Sequence, residues 1–440
     1  MINISAIREN NLLKESVVYG LSGVLSRFAT FISIPIYTRI LGITQYGVLD
    51  YYVTLGYIIY IIFEMQVTSG FMRSYYEKKG QNKHDCLLTS ACLIYIVNFT
   101  VLILIFWFFY HINFSKVDLN YLAPLVFTMF FKQIFDINNI YMRLEGDKFK
   151  YLYYNLSYVA AVNFFGIFSV LFIESKIESI LYSIFSANII FGILSFINLN
   201  KLFSFNFSFR IIKEIAFYSL PIVPAVIGGW LIHSVGKILI VSYISYEDLG
   251  KYSIALKVAM IFMLFNQAFR AAWDPYAVKK INSDSNAKEI FSKALSYYFS
   301  IGTLFVFFVL LISPLLLLVL GISPTIEIFL VVLVLLFGYL WQGVINIISI
   351  GNVWARKTYI NSCCCLFGGL VSLIFSFFII KIYGILGCSI GFLIGSMISF
   401  CLVYYTSKIK INYNAKIISL NMIIGILVCF FSLLFIQIRY

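Results

Sequence analysis

The sequence predicts an all-α polytopic membrane protein: two six-helix lobes related by pseudo-symmetry, plus one further helix at the C-terminal end. Three observations carry this prediction. Of 440 residues, 61% are hydrophobic and 12% charged, against about 45–50% and roughly 25% in soluble domains, so a water-soluble fold has nowhere to hide the apolar surface. Apolar runs of about 20 residues recur along the whole chain, the length a helix needs to cross hydrocarbon and about twice that of a barrel strand. A polar, phenylalanine-alternating stretch then divides the runs into two comparable series.

Breaking the apolar runs at charge clusters gives thirteen spans. The first, 16–38, contains Arg27 and Pro35 and ends at Arg39. Its polar leader "MINISAIRENNLLKES" and its length make a signal anchor the expectation rather than a cleaved peptide. Spans at 47–71, 87–110, 121–142, 151–173 and 178–199 complete the first series. The second runs 215–240, 249–271, 292–313, 326–350, 358–380 and 384–406, and a last run, 417–438, stands outside both. The expected domains are therefore an N-terminal lobe at 1–199, a cytoplasmic connector at 200–214, a C-terminal lobe at 215–406 and an additional helix within 407–440. The eight cysteines lie in or beside apolar runs without metal-ligand or paired extracellular spacing, and read as small lipid- or core-facing residues.

Lys and Arg set the orientation. With the N-terminus cytoplasmic, 22 of the 32 basic residues fall on the inner side and 7 on the outer; Arg27, Lys132 and Lys257 sit inside spans. The net charge of +13 thus follows from topology and from contact with anionic head groups, and no nucleic-acid partner is expected. No loop is long enough to fold as a soluble domain, the longest being that between Trp273 and Phe291, and no phosphate-cradling glycine motif appears. An ATP-hydrolysing motor on this chain is excluded, and no cofactor is expected.

The two series echo each other. "YTRILG" with "QYGVLDYY" pairs with "VGKILI" and "DLGKYSIA", matching Arg39 to Lys237 at an offset of 198 and Gly47 to Gly250 at 203. The difference requires an insertion in the second loop. Pro221 and Pro224, with Gly228 and Gly229, open span seven, and Pro35 is read as breaking span one. Such duplication and helix breaks suit a transporter whose site lies near the bilayer midplane.

"ESVVYGLSGVLSRFATFISIPIYTRILGITQYGVLDYY", "IKEIAFYSLPIVPAVIGGWLIHSVGKILIVSYISYEDLGKYSIALKVAMI" and "YGILGCSIGFLIGSMIS" together resemble polysaccharide flippases of the Wzx type, within the multidrug/oligosaccharidyl-lipid/polysaccharide exporter superfamily. The resemblance covers most of the chain in order. It implies two lobes alternating access to a central cavity, and a substrate of oligosaccharide repeat units joined by a diphosphate to undecaprenol. It also implies a bacterial inner membrane location and O-antigen or other surface polysaccharide as product, with a polysaccharide polymerase and a chain-length regulator as further partners. Relatives usually have 12 or 14 spans, so the thirteenth run departs from the pattern.

An ionisable group at bilayer depth costs about 2.5–3.5 kcal/mol on insertion scales and belongs against protein or water. Arg27 lies mid-span with Gly20, Gly23 and Thr30 on its face. Lys132 is near the centre of span four and Lys257 near that of span eight. These three are the candidate cavity cations for the diphosphate, since charge-assisted bonds to phosphate oxygens strengthen away from bulk water. Glu64, Asp136 and His233 are candidates for ion coupling or for local pairing, Lys132 with Asp136 one turn apart and Arg27 with Glu64. A drug exporter of the same superfamily would favour a carboxylate-rich interior, a polymerase or ligase would need a large outer loop, and a peptidoglycan-precursor flippase would share the chemistry.

Overall fold

The computed structural model describes residues 4–77, 84–112, 118–173, 176–200, 207–283, 287–354 and 357–407, with the single position 423. The expected run at 417–438, and with it the additional C-terminal helix, lies outside these residues apart from that position. The described chain is helical, and nine of its helical stretches are long and apolar enough to cross a membrane. Two of them, Ser22–Glu77 with 56 residues and Tyr359–Ser407 with 49, are far too long for one crossing at about 1.5 Å per residue, and each is interrupted. The chain is a multi-pass membrane protein that divides into two compact units, one comprising the chain up to Leu41 together with Tyr52–Val223, the other Gly42–Tyr51 together with the chain from Pro224.

Helix α1 (Ile4–Glu64), which belongs to the first unit except for Gly42–Tyr51, continues through Pro35 and is interrupted at Gly42 (φ 76°, ψ 166°). The sequence reading put the break at the proline. A proline inside a helix removes one hydrogen bond at a cost of about 3 kcal/mol, which membrane helices tolerate when nearby groups re-satisfy the backbone; one turn on, Thr38 donates its hydroxyl to the carbonyls of Ile34 and Pro35. The reversal needs a left-handed φ, which only glycine takes without strain. Then come α2 (Val67–Glu77), α3 (His84–His111), α4 (Leu119–Phe127), α5 (Met129–Leu144), α6 (Lys148–Phe172), α7 (Lys176–Leu199) and α8 (Phe209–Ser219). Helices α4 and α5 are one span interrupted at Thr128, whose amide still reaches the Pro124 carbonyl and whose own carbonyl accepts from Lys132. Val67 and Phe71 of α2, Leu87, Leu88, Ala91 and Tyr95 of α3, Ile134 and Ile137 of α5 and Ile211 and Ile215 of α8 form a continuous core.

Helix α8, which begins inside the expected connector, is amphipathic. Ile211 and Ile215 turn inward while Arg210 pairs outward with Glu214. Gly70 of α2 lets it lie flat, since a Cβ there would meet the Ser219 hydroxyl and the Ile215 carbonyl. A 3₁₀ turn at Leu220–Ile222, opened by Pro221, leads to the second unit.

That unit contains α9 (Val223–Tyr243), α10 (Tyr246–Ala259), α11 (Ile261–Ser283), α12 (Ala287–Val319), α13 (Ile326–Trp354) and α14 (Thr358–Ser407). Helix α13 is its axis, packing on α10, α11, α12 and α14, with Tyr339, Leu340 and Trp341 fully enclosed. Helix α14 folds back on itself at Gly384 (φ 55°, ψ −135°). Small residues let its halves touch, as they do between helices in lipid generally: Gly368 lies against Ser399, Gly391 against Ser376 and Gly395 against Ser372.

Candidate functional site

Arg27 and Lys132 stand in the first unit and Lys257 in the second. Arg27 is half-buried on α1, on a stretch held to α6 by Asn155, whose side-chain amide donates to Ser22 Oγ (2.8 Å) and Ser26 Oγ (3.4 Å). These serines are not the face expected around Arg27: Thr30 is exposed, and a Cβ on Gly23 would meet nothing within 4 Å.

Lys132 and Asp136 form the expected i,i+4 ion pair on α5, each about a quarter exposed at its side chain. Around them stands an aromatic wall. The Lys132 ammonium lies 5.1 Å from the Phe135 ring centre, 5.5 Å from that of Tyr158 and 5.9 Å from that of Tyr60, all within cation–π range. Tyr60 donates its hydroxyl to the other Asp136 oxygen, and Tyr158 donates to Asn188 Oδ1 at 3.0 Å. The pair is electrically neutral and its acceptor side is filled, which makes it a cross-brace between α1, α5, α6 and α7.

Glu64 ends α1 and caps α2. Its carboxylate accepts from the backbone amides of Gln66 (2.8 Å) and Thr68 (3.1 Å), from the Thr68 hydroxyl (2.8 Å) and from the Gln66 side-chain amide (3.1 Å). These four bonds hold Met65 and Gln66 at φ 51° and 55°, left-handed values unusual for residues with side chains. His233 packs on α9 between the rings of Tyr339 (5.7 Å between centres) and Phe392 (5.5 Å). A groove of about 570 Å³ between α6 and α7, lined by Phe165, Phe168, Ile173, Tyr182 and Ile190 with Glu178 at one edge, gathers none of the three expected cations.

Lys257 lies near a pair that the sequence reading overlooked. Asp50 and Lys237 meet at 2.7 Å with side chains 11% and 10% exposed, and Ser253 donates its hydroxyl to the same Asp50 oxygen at 2.7 Å. Lys257 follows Ser253 by one turn of α10 and shares its face. One carboxylate oxygen thus takes both Lys237 and Ser253, with Lys257 a turn further along α10.

Asp50 reaches this place on the segment Gly42–Tyr51, which packs with the second unit although the chain on both sides of it packs with the first. The docking is reciprocal. A Cβ on Gly47 would strike the Tyr246 carbonyl oxygen, and one on Gly250 the Ile43 carbonyl oxygen. Ile43 and Tyr246, Gly47 and Gly250, and Asp50 and Ser253 each stand 203 residues apart, so the contact has the self-complementary form of a two-fold interface inside one chain. The turn at Gly42 and the N-cap Ser245, whose hydroxyl oxygen accepts from the Asp248 amide at 3.0 Å, share the offset and begin the two paired helices. The signal that could have found Asp50 was the repeat read through three more residues.

Among solved structures, the chain is similar to one described as "Lipid II flippase MurJ, inward closed conformation", with TM-score 0.71, 15% identity, and 96% of this chain and 100% of that one covered. It is also similar to an inward-facing multidrug resistance MATE family transporter of the MOP superfamily (0.65, 14%, 87% and 94%) and to an outward-facing one (0.61, 13%, 90% and 95%). These likenesses show a shared fold. No curated protein sequence matches the chain. The family model described as "Polysaccharide biosynthesis protein" matches residues 12–281, more than half the chain. With the MurJ- and MATE-like fold in place and that model spanning the first unit and the start of the second, the chain belongs to the polysaccharide biosynthesis protein family.

Proposed function

We propose that the protein is a flippase that moves undecaprenyl-diphosphate-linked oligosaccharide repeat units from the cytoplasmic to the periplasmic leaflet of the bacterial inner membrane by alternating access. The product is O-antigen or another surface polysaccharide, and a polymerase with its chain-length regulator receives the units. Family membership and the transporter fold support a lipid-linked cargo. The observation that carries the reading is a pair of lysines grouped about one enclosed carboxylate: Lys237 meets Asp50 at 2.7 Å, and Lys257 stands one turn beyond Ser253, which donates to the same Asp50 oxygen. A positive cluster inside a membrane is costly unless it serves an anion, and a diphosphate offers charge-assisted acceptors in a small volume. Arg27 in the first unit, with a guanidinium suited to phosphate, is proposed as a further substrate-binding residue. Lys132 is proposed for that role as well, although Asp136 already balances its charge. Glu64, Asp136 and His233 are spent on a helix cap, an ion pair and ring packing, so the reading does not depend on ion coupling through them.

The test is deletion of the gene followed by chemical analysis of lipid-linked intermediates. The expected result is accumulation of undecaprenyl-diphosphate oligosaccharide with loss of surface glycan, both reversed by the plasmid-borne gene. Accumulation of the lipid-linked peptidoglycan precursor instead would move the protein to the peptidoglycan branch, and unchanged lipid intermediates would overturn the reading.

A further inference from the structure

Asp50 combines three properties that a merely structural ion pair does not need. It is nearly enclosed, with Lys237 and the Ser253 hydroxyl both at 2.7 Å. A second lysine, Lys257, stands one turn beyond Ser253 on the same face of α10. And Asp50 is delivered by a segment joined to α1 through the left-handed turn at Gly42, a segment grouped with one unit while both its flanks are grouped with the other.

We propose that Asp50 is a built-in counter-anion that occupies Lys237 and Lys257 in place of the substrate's diphosphate, and that an arriving diphosphate displaces it and so frees Gly42–Tyr51 from the second unit. The inference rests on the diphosphate-carrier reading above and adds Lys237, Ser253 and Asp50 to the residues that handle the headgroup. The charges favour exchange: one carboxylate leaves two ammonium groups with a positive remainder, which a diphosphate neutralises while its oxygens also accept from Ser253. Asp50 cannot leave unaided, because breaking an enclosed pair strands a buried charge. An anion that enters as the carboxylate leaves removes that penalty. A ligand shifts an equilibrium only by its differential affinity for the two states, and here the difference is explicit, since Lys237 and Lys257 are open to the diphosphate only when Asp50 has withdrawn. The Gly47 and Gly250 contact sets how firmly the segment is seated.

The experiment uses full-length protein in lipid nanodiscs with undecaprenyl diphosphate as probe. Asp50→Asn is expected to bind the probe about tenfold more tightly than wild type, a typical coupling between sites. Asp50→Glu should restore wild-type affinity and Lys237→Gln should lose most of it. Wild-type protein, needing no substitution, supplies a second readout: the probe should speed hydrogen exchange at backbone amides of 43–51. Binding to wild type with Asp50→Asn no tighter, or with the 43–51 amides equally or better protected, overturns the counter-anion while leaving the flippase reading standing. Absence of any binding to wild type overturns both.

Discussion

Gly47 lies against the carbonyl oxygen of Tyr246 while Gly250 lies against that of Ile43, so two glycines make the same contact from opposite sides. Neither contact has room for a methyl group. Gly47→Ala and Gly250→Ala are each expected to cost about 1–3 kcal/mol, the usual penalty of overpacking a tight site, read as a lowered melting temperature in detergent and reduced surface glycan. Gly229→Ala is the control, because a Cβ there meets nothing within 4 Å and its melting temperature should not fall.

The Lys132 and Asp136 pair should behave as a brace. Removing one partner strands the other among aromatic rings, whereas removing both leaves an apolar surface that can close. Lys132→Met and Asp136→Leu are each expected to lower membrane abundance more than the double variant does, with a coupling of about 1–3 kcal/mol in a double-mutant cycle. Additive losses would show that the ion pair carries no stability.

Glu64 should tolerate loss of charge better than loss of acceptors. Glu64→Gln keeps one oxygen for the α2 amides, while Glu64→Ala removes the cap and costs about 1–2 kcal/mol. The expected order of melting temperature and of glycan output is wild type, then Gln, then Ala. A Gln variant that is stable but wholly inactive would assign Glu64 to proton transfer instead.

Arg27 and Lys257 should show the opposite signature, with loss of export at preserved abundance. Arg27→Ala and Lys257→Ala are expected to reduce surface glycan at least about tenfold, equivalent to about 1.4 kcal/mol in a binding or rate constant, with membrane levels of protein unchanged by quantitative blotting. Arg27→Lys should retain part of the output, since an ammonium supplies the charge without the two-pronged geometry.

Hydropathy exposed the spans because membrane helices must be apolar over a length that lipid dictates. Local spacing exposed the Lys132 and Asp136 pair, since one helical turn sufficed to predict it. What stayed hidden was what depends on distant partners or on single backbone angles. Pro35 resembles a helix breaker and is carried inside α1, while Gly42 and Gly384, two of many glycines in apolar surroundings, make the reversals. Asp50 resembles an interfacial residue at the start of a span until Lys237, far along the chain, is brought within 2.7 Å of it. The role of Glu64 was latent in "EMQVT", a carboxylate placed to cap a helix beginning three residues later, and its depth drew attention to charge rather than to capping.

The enclosure of α13 has a consequence for how the molecule is made. The most apolar part of Ile326–Asn352 is 72% buried, yet its mean hydropathy is 2.4, close to that of the less buried α3 (2.5) and α12 (2.7). During synthesis α13 leaves the ribosome before α14 exists to cover it. A sequence selected for packing alone could have carried polar anchors here; one that must first wait in the bilayer cannot, because the insertion machinery scores each helix against lipid. Polar substitutions along α13 should therefore fail twice, first as an uninserted segment degraded during biogenesis and only afterwards as a damaged core. In this protein the most enclosed helix keeps the composition of an exposed one because, for a time, it is one.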